Sequence, residues 1–279
     1  MKSNKKTRII TGAILIVGLG LAIWAGGWIA SILFILAIGI ALYEMMRALR
    51  TRGHQNVRWP IWLATILSIP IILLGDNRLL LPIVVVTSMI TITYVLFHGE
   101  PQLEDITVSL LPLFSVSLPG MCLLAQINAP YRWLQVMLLC TTFLVPNMGD
   151  MFAYFVGSRY GRRKLIPAVS PNKTVAGAVG SLVGSEITAL AIWGIVYACT
   201  GGAANQQMPP IWHFVIIGLL GGVIGMIGDL YASLIKRHCG IKDYGTIFPG
   251  HGGMMDRLDS TLPVALMIFL YQSMMWPAP

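Results

Sequence analysis

The chain has 279 residues, of which 56% are hydrophobic and only 11% are charged, and its mean hydropathy is +0.75. Because soluble domains carry about 25% charged residues, a water-soluble fold could not cover its surface with so few. Apolar runs of the roughly 17–25 residues that span a bilayer recur along almost the whole chain, which also excludes a soluble enzyme with a single anchor. The formal charge of +8 fits attraction to anionic lipid headgroups, and no basic segment interleaved with aromatic residues indicates nucleic-acid binding.

The apolar runs predict an all-α polytopic membrane protein with about nine transmembrane helices. These helices are expected near residues 9–26, 29–46, 59–75, 79–97, 107–126, 133–157, 175–199, 212–235 and 260–276. The first run follows a basic N-terminus, as in a signal peptide. No small-residue cleavage pattern follows it and a second span comes within a few residues, so it is predicted to be a span.

The basic residues predict the orientation of the spans, because Lys and Arg gather in the short cytoplasmic loops of membrane proteins. A cytoplasmic N-terminus and an exterior C-terminus place all but two of the 19 basic residues in the cytoplasm. The exceptions are Arg78 and Arg132. An eight-span arrangement would put one of the basic loops on the exterior side, so the nine-span arrangement is preferred.

Polar residues divide the chain near residue 130. Residues 1–130 are predicted to be a transmembrane scaffold, in which Glu44 is the one ionisable side chain within a span. Residues 131–279 are predicted to be the catalytic region, with cytoplasmic loops at 158–174 and 236–259. The four cysteines are scattered singly without metal or disulfide spacing, and they are interpreted as small hydrophobic residues.

Three carboxylates of the second half fall within or near the ends of predicted spans, namely Asp150, Glu186 and Asp229. A carboxylate at the bilayer centre costs about 2.5–3.5 kcal/mol even on the mildest scale, so these three must face one another, a cation or water. Glu44 and Glu186 are explained equally well as helix-packing groups, and their roles stay open. Asp229, Ser233 and Lys236 recur at helical spacing, which predicts one polar stripe facing a cleft.

The sixth predicted span carries Asn147, Asp150 and Tyr154 on one face and is followed by a basic run at 159–164. Topology alone explains that run as well as binding does. The next segment, Ser170-Pro171-Asn172-Lys173-Thr174, is predicted to start the seventh helix. The free N–H groups of a helix start, a lysine and a hydroxyl can together hold an anion, and phosphate is the expected one.

The loop 236–259 contains three carboxylates and four cations separated by glycines: Asp243, Asp256, Asp259, Lys236, Arg237, Lys242 and Arg257. Carboxylates suit Mg²⁺, and the backbone around Gly252 and Gly253 can form an anion-binding nest. Lys and Arg side chains can clamp phosphate oxygens. These parts predict phosphoryl or nucleotidyl transfer. No P-loop is present, and His251 between glycines is as often structural as catalytic.

Residues 233–237, 242–245 and 248–259 resemble the signature of the phosphatidate cytidylyltransferase family, also called CDP-diacylglycerol synthases. Residues 150–157 and 170–174 are similar to the upstream motifs of that family. Two positions depart from its pattern: Ala232 stands where the family often has Glu, and Val175-Ala176-Gly177 stands where it often has Trp-Glu-Gly. No role is therefore carried over to those two carboxylates.

The resemblance implies that the phosphate of phosphatidic acid attacks the α-phosphorus of CTP, which gives CDP-diacylglycerol and pyrophosphate for phospholipid biosynthesis. It implies Mg²⁺, alone or with a second cation, held by Asp229 and Asp256. The catalytic residues that it implies are Lys236, Asp243, His251, Asp256 and Arg257. The substrate-binding residues are Asp150, Ser170, Lys173, Thr174, Ser233, Arg237, Lys242, Gly252, Gly253 and Asp259. It also implies contact with membrane lipids, a homodimer, and a bacterial-type inner (plasma) membrane location with the active site facing the cytoplasm.

Other functions fit parts of the same pattern. A related polyprenol kinase, or a nucleotidyltransferase with another lipid acceptor, is the nearest alternative among enzymes. A cation-coupled transporter would also use intramembrane carboxylates and glycine-rich helices. It predicts polar residues across the whole bilayer and an internal repeat, whereas here the polar residues become sparse toward the exterior and no repeat is evident.

Overall fold

The computed structural model describes residues 5–50, 57–200 and 208–275, with residues 5–8 described by their backbone only. The basic residues Lys2 and Arg52 lie outside the described residues, and so does most of the segment 200–210 between the seventh and eighth predicted spans. The helices are α1 (Lys5–Ala25), α2 (Gly27–Leu49), α3 (Trp59–Leu73), α4 (Leu80–Phe97), α5 (Leu103–Pro112), α6 (Leu118–Ile127), α7 (Arg132–Tyr160), α8 (Val175–Cys199), α9 (Ile211–His238), α10 (Met255–Leu258) and α11 (Thr261–Met275). One 3₁₀ turn, Asn77–Leu79, precedes α4.

Each predicted apolar run corresponds to helical structure. Among the described residues, six helical segments are long and apolar enough to cross a membrane by length and composition: Gly27–Leu49, Asn77–Phe97, Leu103–Ile127, Arg132–Tyr160, Val175–Cys199 and Ile211–His238. Three shorter apolar helices, Ile9–Ala25, Trp59–Leu73 and Thr261–Met275, match the remaining predicted runs. Many large apolar side chains on these helices are exposed, among them Trp24, Leu81 and Phe97, as lipid-facing residues are. The chain is therefore an α-helical multi-pass membrane protein.

The fifth predicted span is interrupted. Helices α5 and α6 are joined by a π-helical segment, Leu113–Ser117. Pro112 ends α5, and because proline has no N–H and its ring clashes with the preceding turn, the regular ladder of hydrogen bonds breaks there. The predicted span 107–126 is thus two short helices around one proline.

The structure also contains a small sheet that an all-α prediction leaves out. Strands β1 (Lys164–Ile166) and β2 (Ser170–Thr174) pair in antiparallel register. The predicted span 175–199 coincides with α8, which begins at Val175, whereas residues 170–174, expected at the start of that helix, form strand β2. Pro171 favours extended backbone at the residue before it. Thr174 is the extended N-cap of α8, and its Oγ1 accepts the N–H of Gly177 at 3.1 Å.

The residues form two compact units. One consists of Met1–Asn128 with Lys236–Leu258, and the other of Ala129–Ile235 with Asp259–Pro279. A scaffold–catalytic boundary near residue 130 stays a prediction. The structure adds that the loop after α9 belongs to the compact unit of the N-terminal helices.

In the first unit, α2 packs against α6 and α10. Leu42, Met45 and Met46 of α2 are buried. A Cβ added at Gly120 of α6 would lie 2.8 Å from the Ile38 side chain, so α6 can approach α2 this closely only with glycine at that position. Helix α2 is thus a central helix of this unit, and its C-terminal end lies against the loop that follows α9.

In the second unit, α7 and α8 pack along most of their length. Small residues make this possible: a Cβ added at Gly180 would lie 2.7 Å from Val156, and one at Gly184 would lie 2.5 Å from the Phe152 ring. Val145, Ala189, Phe214, Ile217 and Val264 belong to the buried apolar core of this unit.

Candidate active site

The end of α9 fixes the position of Lys236. The N–H of Gly240 donates to the carbonyl of Arg237 at 3.1 Å, and the N–H of Ile241 donates to the carbonyl of Lys236 at 2.9 Å. Gly240 has φ 68°, a left-handed conformation that glycine adopts without strain. This pair of bonds is a Schellman motif, so the sequence itself ends the helix here and turns the chain back.

Asp256 is the centre of a cluster of hydrogen bonds in the first unit. Its Oδ1 accepts Lys236 Nζ at 2.8 Å, and its Oδ2 accepts the backbone N–H groups of Tyr244 at 2.8 Å and Gly253 at 2.9 Å. The Lys236 ammonium lies 5.4 Å from the centroid of the Tyr244 ring. We call these four residues the loop cluster. The side chains of Lys236 and Asp256 are only 13% and 4% exposed, so the cluster is a buried charged network whose hydrogen bonds are charge-assisted.

The structure explains why a glycine stands at position 252 of this loop. Phe248 and Gly252 form an isolated bridge, in which the Phe248 N–H donates to the Gly252 carbonyl at 2.9 Å. Gly252 has φ 82°, and a Cβ added there would lie 2.7 Å from Asp256 Oδ2. A side chain at this position would therefore strain the backbone and displace the carboxylate.

The other predicted residues of this loop divide by exposure. The side chains of Arg237, Lys242, Asp243 and Arg257 are exposed. The His251 ring lies against α1, where a Cβ added at Gly12 would be 3.6 Å from Nε2. The catalytic role that the resemblance implies for His251 stays a prediction.

Two residues at the end of α2 contact this loop, and sequence reasoning assigned neither to the site. Glu44 Oε2 accepts the N–H of Met255 at 2.8 Å, and Arg47 Nη2 donates to the carbonyl of Tyr244 at 3.0 Å. Glu44 had no assigned role, and Arg47 was explained by topology. The available signal was a carboxylate and a guanidinium at i and i+3 on one helix face, at the end of a span.

In the second unit, β2 and α9 are joined by an ion pair. Lys173 Nζ lies 2.6 Å from Asp229 Oδ2, and the two side chains are 22% and 26% exposed. Ser233 Oγ donates to Asp229 Oδ1 over a long 3.5 Å. Helical spacing predicted that Ser233 lies beside Asp229, whereas the pairing of Lys173 with Asp229 did not follow from spacing.

A cavity of about 490 Å³ lies in the same unit. Its lining residues are Asp150, Ala153, Tyr154, Gly157, Ser158, Gly161, Lys164, Leu165, Asn172, Lys173, Thr174, Gly177, Ala178, Ser181 and Met226. We call it the α7–α8 cavity. Asp150, Lys173 and Thr174 were predicted to bind substrate, whereas Lys164 was counted only as a topological charge. A Cβ added at Gly157 would lie 2.9 Å from Thr174 Oγ1, so glycine keeps the two helices close at this cavity.

The remaining predicted residues have local contacts. Ser170 pairs with Ile166 in the sheet, and Asp259 Oδ1 accepts the N–H of Ser260 at 2.8 Å. Glu186, whose role was left open, lies against α9, where a Cβ added at Gly218 would be 2.5 Å from its Oε2. It therefore packs between α8 and α9.

Comparison with known proteins assigns these features to one family. Residues 6–275 match the sequence profile described as the Cytidylyltransferase family. The chain is 33% identical to a phosphatidate cytidylyltransferase of Brucella melitensis over 96% of this chain and 93% of that one. It is 46% identical to a protein of the same name from Bacillus subtilis over 44% of this chain and 41% of that one. The chain belongs to the cytidylyltransferase family.

Proposed function

We propose that this protein is a CTP:phosphatidate cytidylyltransferase, which transfers CMP from CTP to phosphatidic acid and releases pyrophosphate. The observation that carries the proposal is the family match across residues 6–275, which includes the loop cluster, the Lys173–Asp229 pair and the α7–α8 cavity. The relative from Brucella melitensis, matched over 93% of its length, supports the choice of phosphatidic acid as the acceptor.

The reaction forms a bond between an oxygen of the phosphatidate phosphate and the α-phosphorus of CTP, and it breaks the bond from that phosphorus to the bridging oxygen of pyrophosphate. The attacking oxygen is largely ionised at neutral pH, so the protein needs to position and neutralise charge more than to remove a proton. Four cationic side chains of the loop can bind the oxygens of a triphosphate: Lys236, Arg257, Arg237 and Lys242. Lys236 is already held in the loop cluster, whereas the other three are exposed.

The α7–α8 cavity suits a second phosphate. Lys164 and Lys173 contribute positive charge to it, and Asn172 and Thr174 contribute polar groups. Thr174 Oγ1 accepts the Gly177 N–H as the helix cap, and its hydroxyl hydrogen can still be donated to a phosphate oxygen. We assign this cavity to the phosphate of the lipid, with Ser170 as a neighbouring strand residue and Asp150 as its one lining carboxylate.

Mg²⁺ belongs to the proposal, and the two predicted ligands fit it unequally. Within the described part of the chain, Asp229 Oδ1 has a single long hydrogen bond, 3.5 Å from Ser233 Oγ, which leaves this oxygen able to bind a cation. Asp256 Oδ2 already accepts two N–H groups and Oδ1 faces Lys236, so a metal there would take the place of the ammonium. No group of three or more His, Cys, Asp or Glu side chains in the described part of the chain could hold a metal. Phosphate oxygens and water would complete the coordination, as Mg²⁺ prefers, and the ion would neutralise phosphate charge.

The proposal includes nine spans with a cytoplasmic N-terminus and an exterior C-terminus, a homodimer, and an active site that faces the cytoplasm of a bacterial-type inner membrane. Contacts within each unit agree with this orientation. The C-terminal end of α2 contacts the loop after α9, and the start of α8 lies beside Asp229 of α9. Each of these two sets of contacts joins segments that the distribution of basic residues predicts to be cytoplasmic.

The position of a radioactive label tests the reaction. Purified protein in lipid nanodiscs with phosphatidic acid, Mg²⁺ and CTP labelled at the α-phosphorus should give a labelled, lipid-extractable product and an equal amount of pyrophosphate. CTP labelled at the γ-phosphorus should give labelled pyrophosphate and unlabelled lipid. Transfer of the γ-label to lipid would show a kinase. Product from a polyprenol or another lipid, but none from phosphatidic acid, would show a different acceptor.

A further inference from the structure

Glu44 is a buried carboxylate at the end of α2 that the reaction chemistry above does not use. It is 2% exposed, and its Oε2 accepts the N–H of Met255 at 2.8 Å. Met255 begins α10 and immediately precedes Asp256. Burial of a charged group is costly unless hydrogen bonds compensate for it. The hydrogen bond from Met255 therefore stabilises the buried carboxylate, and it also attaches the loop to α2.

The loop backbone encloses the carboxylate on two further sides. A Cβ added at Gly245 would overlap Glu44, with Cδ at 2.6 Å, and a Cβ added at Gly253 would overlap it as well, again with Cδ at 2.6 Å. Only glycine at both positions lets the chain come this close. The two glycines are separated along the loop, yet both pack against the Glu44 side chain of α2.

Arg47 contacts the other end of the same loop segment. It lies one turn after Glu44 on α2, and its Nη2 donates to the carbonyl of Tyr244 at 3.0 Å. Helix α2 therefore bonds to the segment at its first residue, Tyr244, and at its last, Met255.

The peptide groups held by α2 are adjacent to those that hold Asp256. Tyr244 donates its N–H to Asp256 Oδ2 and accepts Arg47 at its carbonyl. Gly253 donates its N–H to Asp256 Oδ2, and its Cα faces Glu44. A shift of the loop on α2 would thus move both N–H donors of the Asp256 carboxylate.

We propose that Glu44 and Arg47 are positioning residues, which fix the segment 244–255 on α2 and thereby set the Asp256 carboxylate opposite Lys236. This inference rests on the proposed function in giving Asp256 a place in the active site. Neither residue contacts substrate in the proposal, and each acts through the loop backbone. The N-terminal helices thereby take part in building the active site.

We call the attachment of segment 244–255 to α2 by Glu44 and Arg47 the clamp. Hydrogen–deuterium exchange of the full chain in nanodiscs, without substrate, tests this clamp directly. Glu44→Leu keeps the size of the side chain and removes the acceptor, and it should speed exchange in peptides covering 244–256 by about tenfold, the scale of one lost charged hydrogen bond. Glu44→Gln keeps an acceptor and should stay close to the wild type. If Glu44→Leu folds and exchange in 244–256 is unchanged, the clamp does not exist.

Arg47→Ala tests the same clamp without emptying a buried position, because the Arg47 side chain is exposed. It should speed exchange around Tyr244, whereas Arg50→Ala, an exposed arginine one turn further along, should not. Equal effects of the two variants would assign the change to lost charge and overturn the role of Arg47.

Kinetics separate the clamp from the proposed activity. Glu44→Leu and Arg47→Ala should lower kcat and leave the KM values for CTP and phosphatidic acid near wild type, and Glu44→Gln should restore kcat. A wild type without cytidylyl transfer would overturn the proposed function, while the exchange result would still decide whether α2 holds the loop. Loss of substrate affinity with unchanged kcat would show that these residues bind substrate and would contradict a positioning role.

Discussion

Lys173 and Asp229 form an ion pair of 2.6 Å between the strand before α8 and the helix α9, with both side chains about a quarter exposed at 22% and 26%. Solvent screens such a pair, so its contribution to folding is small compared with that of a buried pair. A weakly held lysine beside a cavity can exchange a carboxylate for a phosphate. This pair therefore fits a binding role better than a structural one.

Lys173→Ala should accordingly lower kcat/KM about tenfold or more for one or both substrates, the scale of a lost charge-assisted contact, without loss of folded protein. Arg162→Ala is the matched control, since it removes an exposed cation of the same loop. Steady-state rates with phosphatidic acid and CTP varied in turn give the measurement. Unchanged kcat/KM for both substrates would show that Lys173 does not bind substrate and serves only as a charge that sets membrane topology.

Asp229→Asn and Asp256→Asn should each reduce kcat by about 10²-fold or more, taking removal of one preorganised electrostatic group as the scale. The double variant should be little worse than either single one, because residues that act as a unit are not additive. Asp229→Asn should leave expression and detergent stability near wild type. Asp256→Asn keeps an oxygen acceptor but removes the charge that faces Lys236, so its stability should lie between those of the wild type and Asp256→Ala. Glu104→Gln on the exposed start of α5 is the control. Near-normal Mg²⁺-dependent turnover in either single variant would show that the carboxylate does not bind the metal.

Asp256→Ala should differ from Asp256→Asn in stability. Alanine leaves the buried Lys236 ammonium and two N–H groups without their acceptor, and loss of one partner of a buried pair costs about 3–5 kcal/mol. Adding Lys236→Met to Asp256→Ala should recover much of the lost thermal stability, because the buried ammonium that faced the Asp256 carboxylate is removed with it, but it should recover no activity. Thermal unfolding in detergent measures this, and equal melting temperatures for the alanine and asparagine variants would contradict it.

Gly184→Ala should destabilise the second unit because the new Cβ would lie 2.5 Å from the Phe152 ring. Overpacking of this kind costs about 1–3 kcal/mol. At Gly194 on the same helix, an added Cβ would have no heavy atom of another described segment within 4 Å. Gly194→Ala is therefore the matched control, expected to be neutral or slightly stabilising. Comparable melting temperatures for the two variants would mean that α7 and α8 do not approach this closely.

Cysteine labelling tests the orientation of the spans in a background without Cys122, Cys140, Cys199 and Cys239. Single cysteines at Arg163 and Asp243 should react with a membrane-impermeant reagent only from the cytoplasmic side, and one at Asn205 only from the exterior. These positions follow from the basic-residue asymmetry. Labelling of position 243 from outside intact cells would overturn the nine-span arrangement.

Much of the architecture followed from the sequence because a bilayer imposes a simple requirement. A helix that crosses lipid needs only sufficient length and apolar composition, and both can be counted without knowledge of the fold. The glycine-rich loop with its carboxylates and cations likewise indicated nucleotidyl transfer through residue types alone. Helix α8 begins at Val175, as the predicted span 175–199 has it, but the strand β2 before it was not predicted, although Pro171 and the N-cap Thr174 favour extended backbone.

Only the tertiary structure decided which of these groups meet. Three contacts join segments that are distant along the chain. Lys173 pairs with Asp229, Asp256 accepts a hydrogen bond from Lys236, and the loop packs on Glu44 of α2. Helical spacing relates residues three or four positions apart, but it carries no information on which helix faces which. Glu44 was therefore ambiguous from its sequence position. Its burial against Gly245 and Gly253 arises only once the loop has folded back on α2.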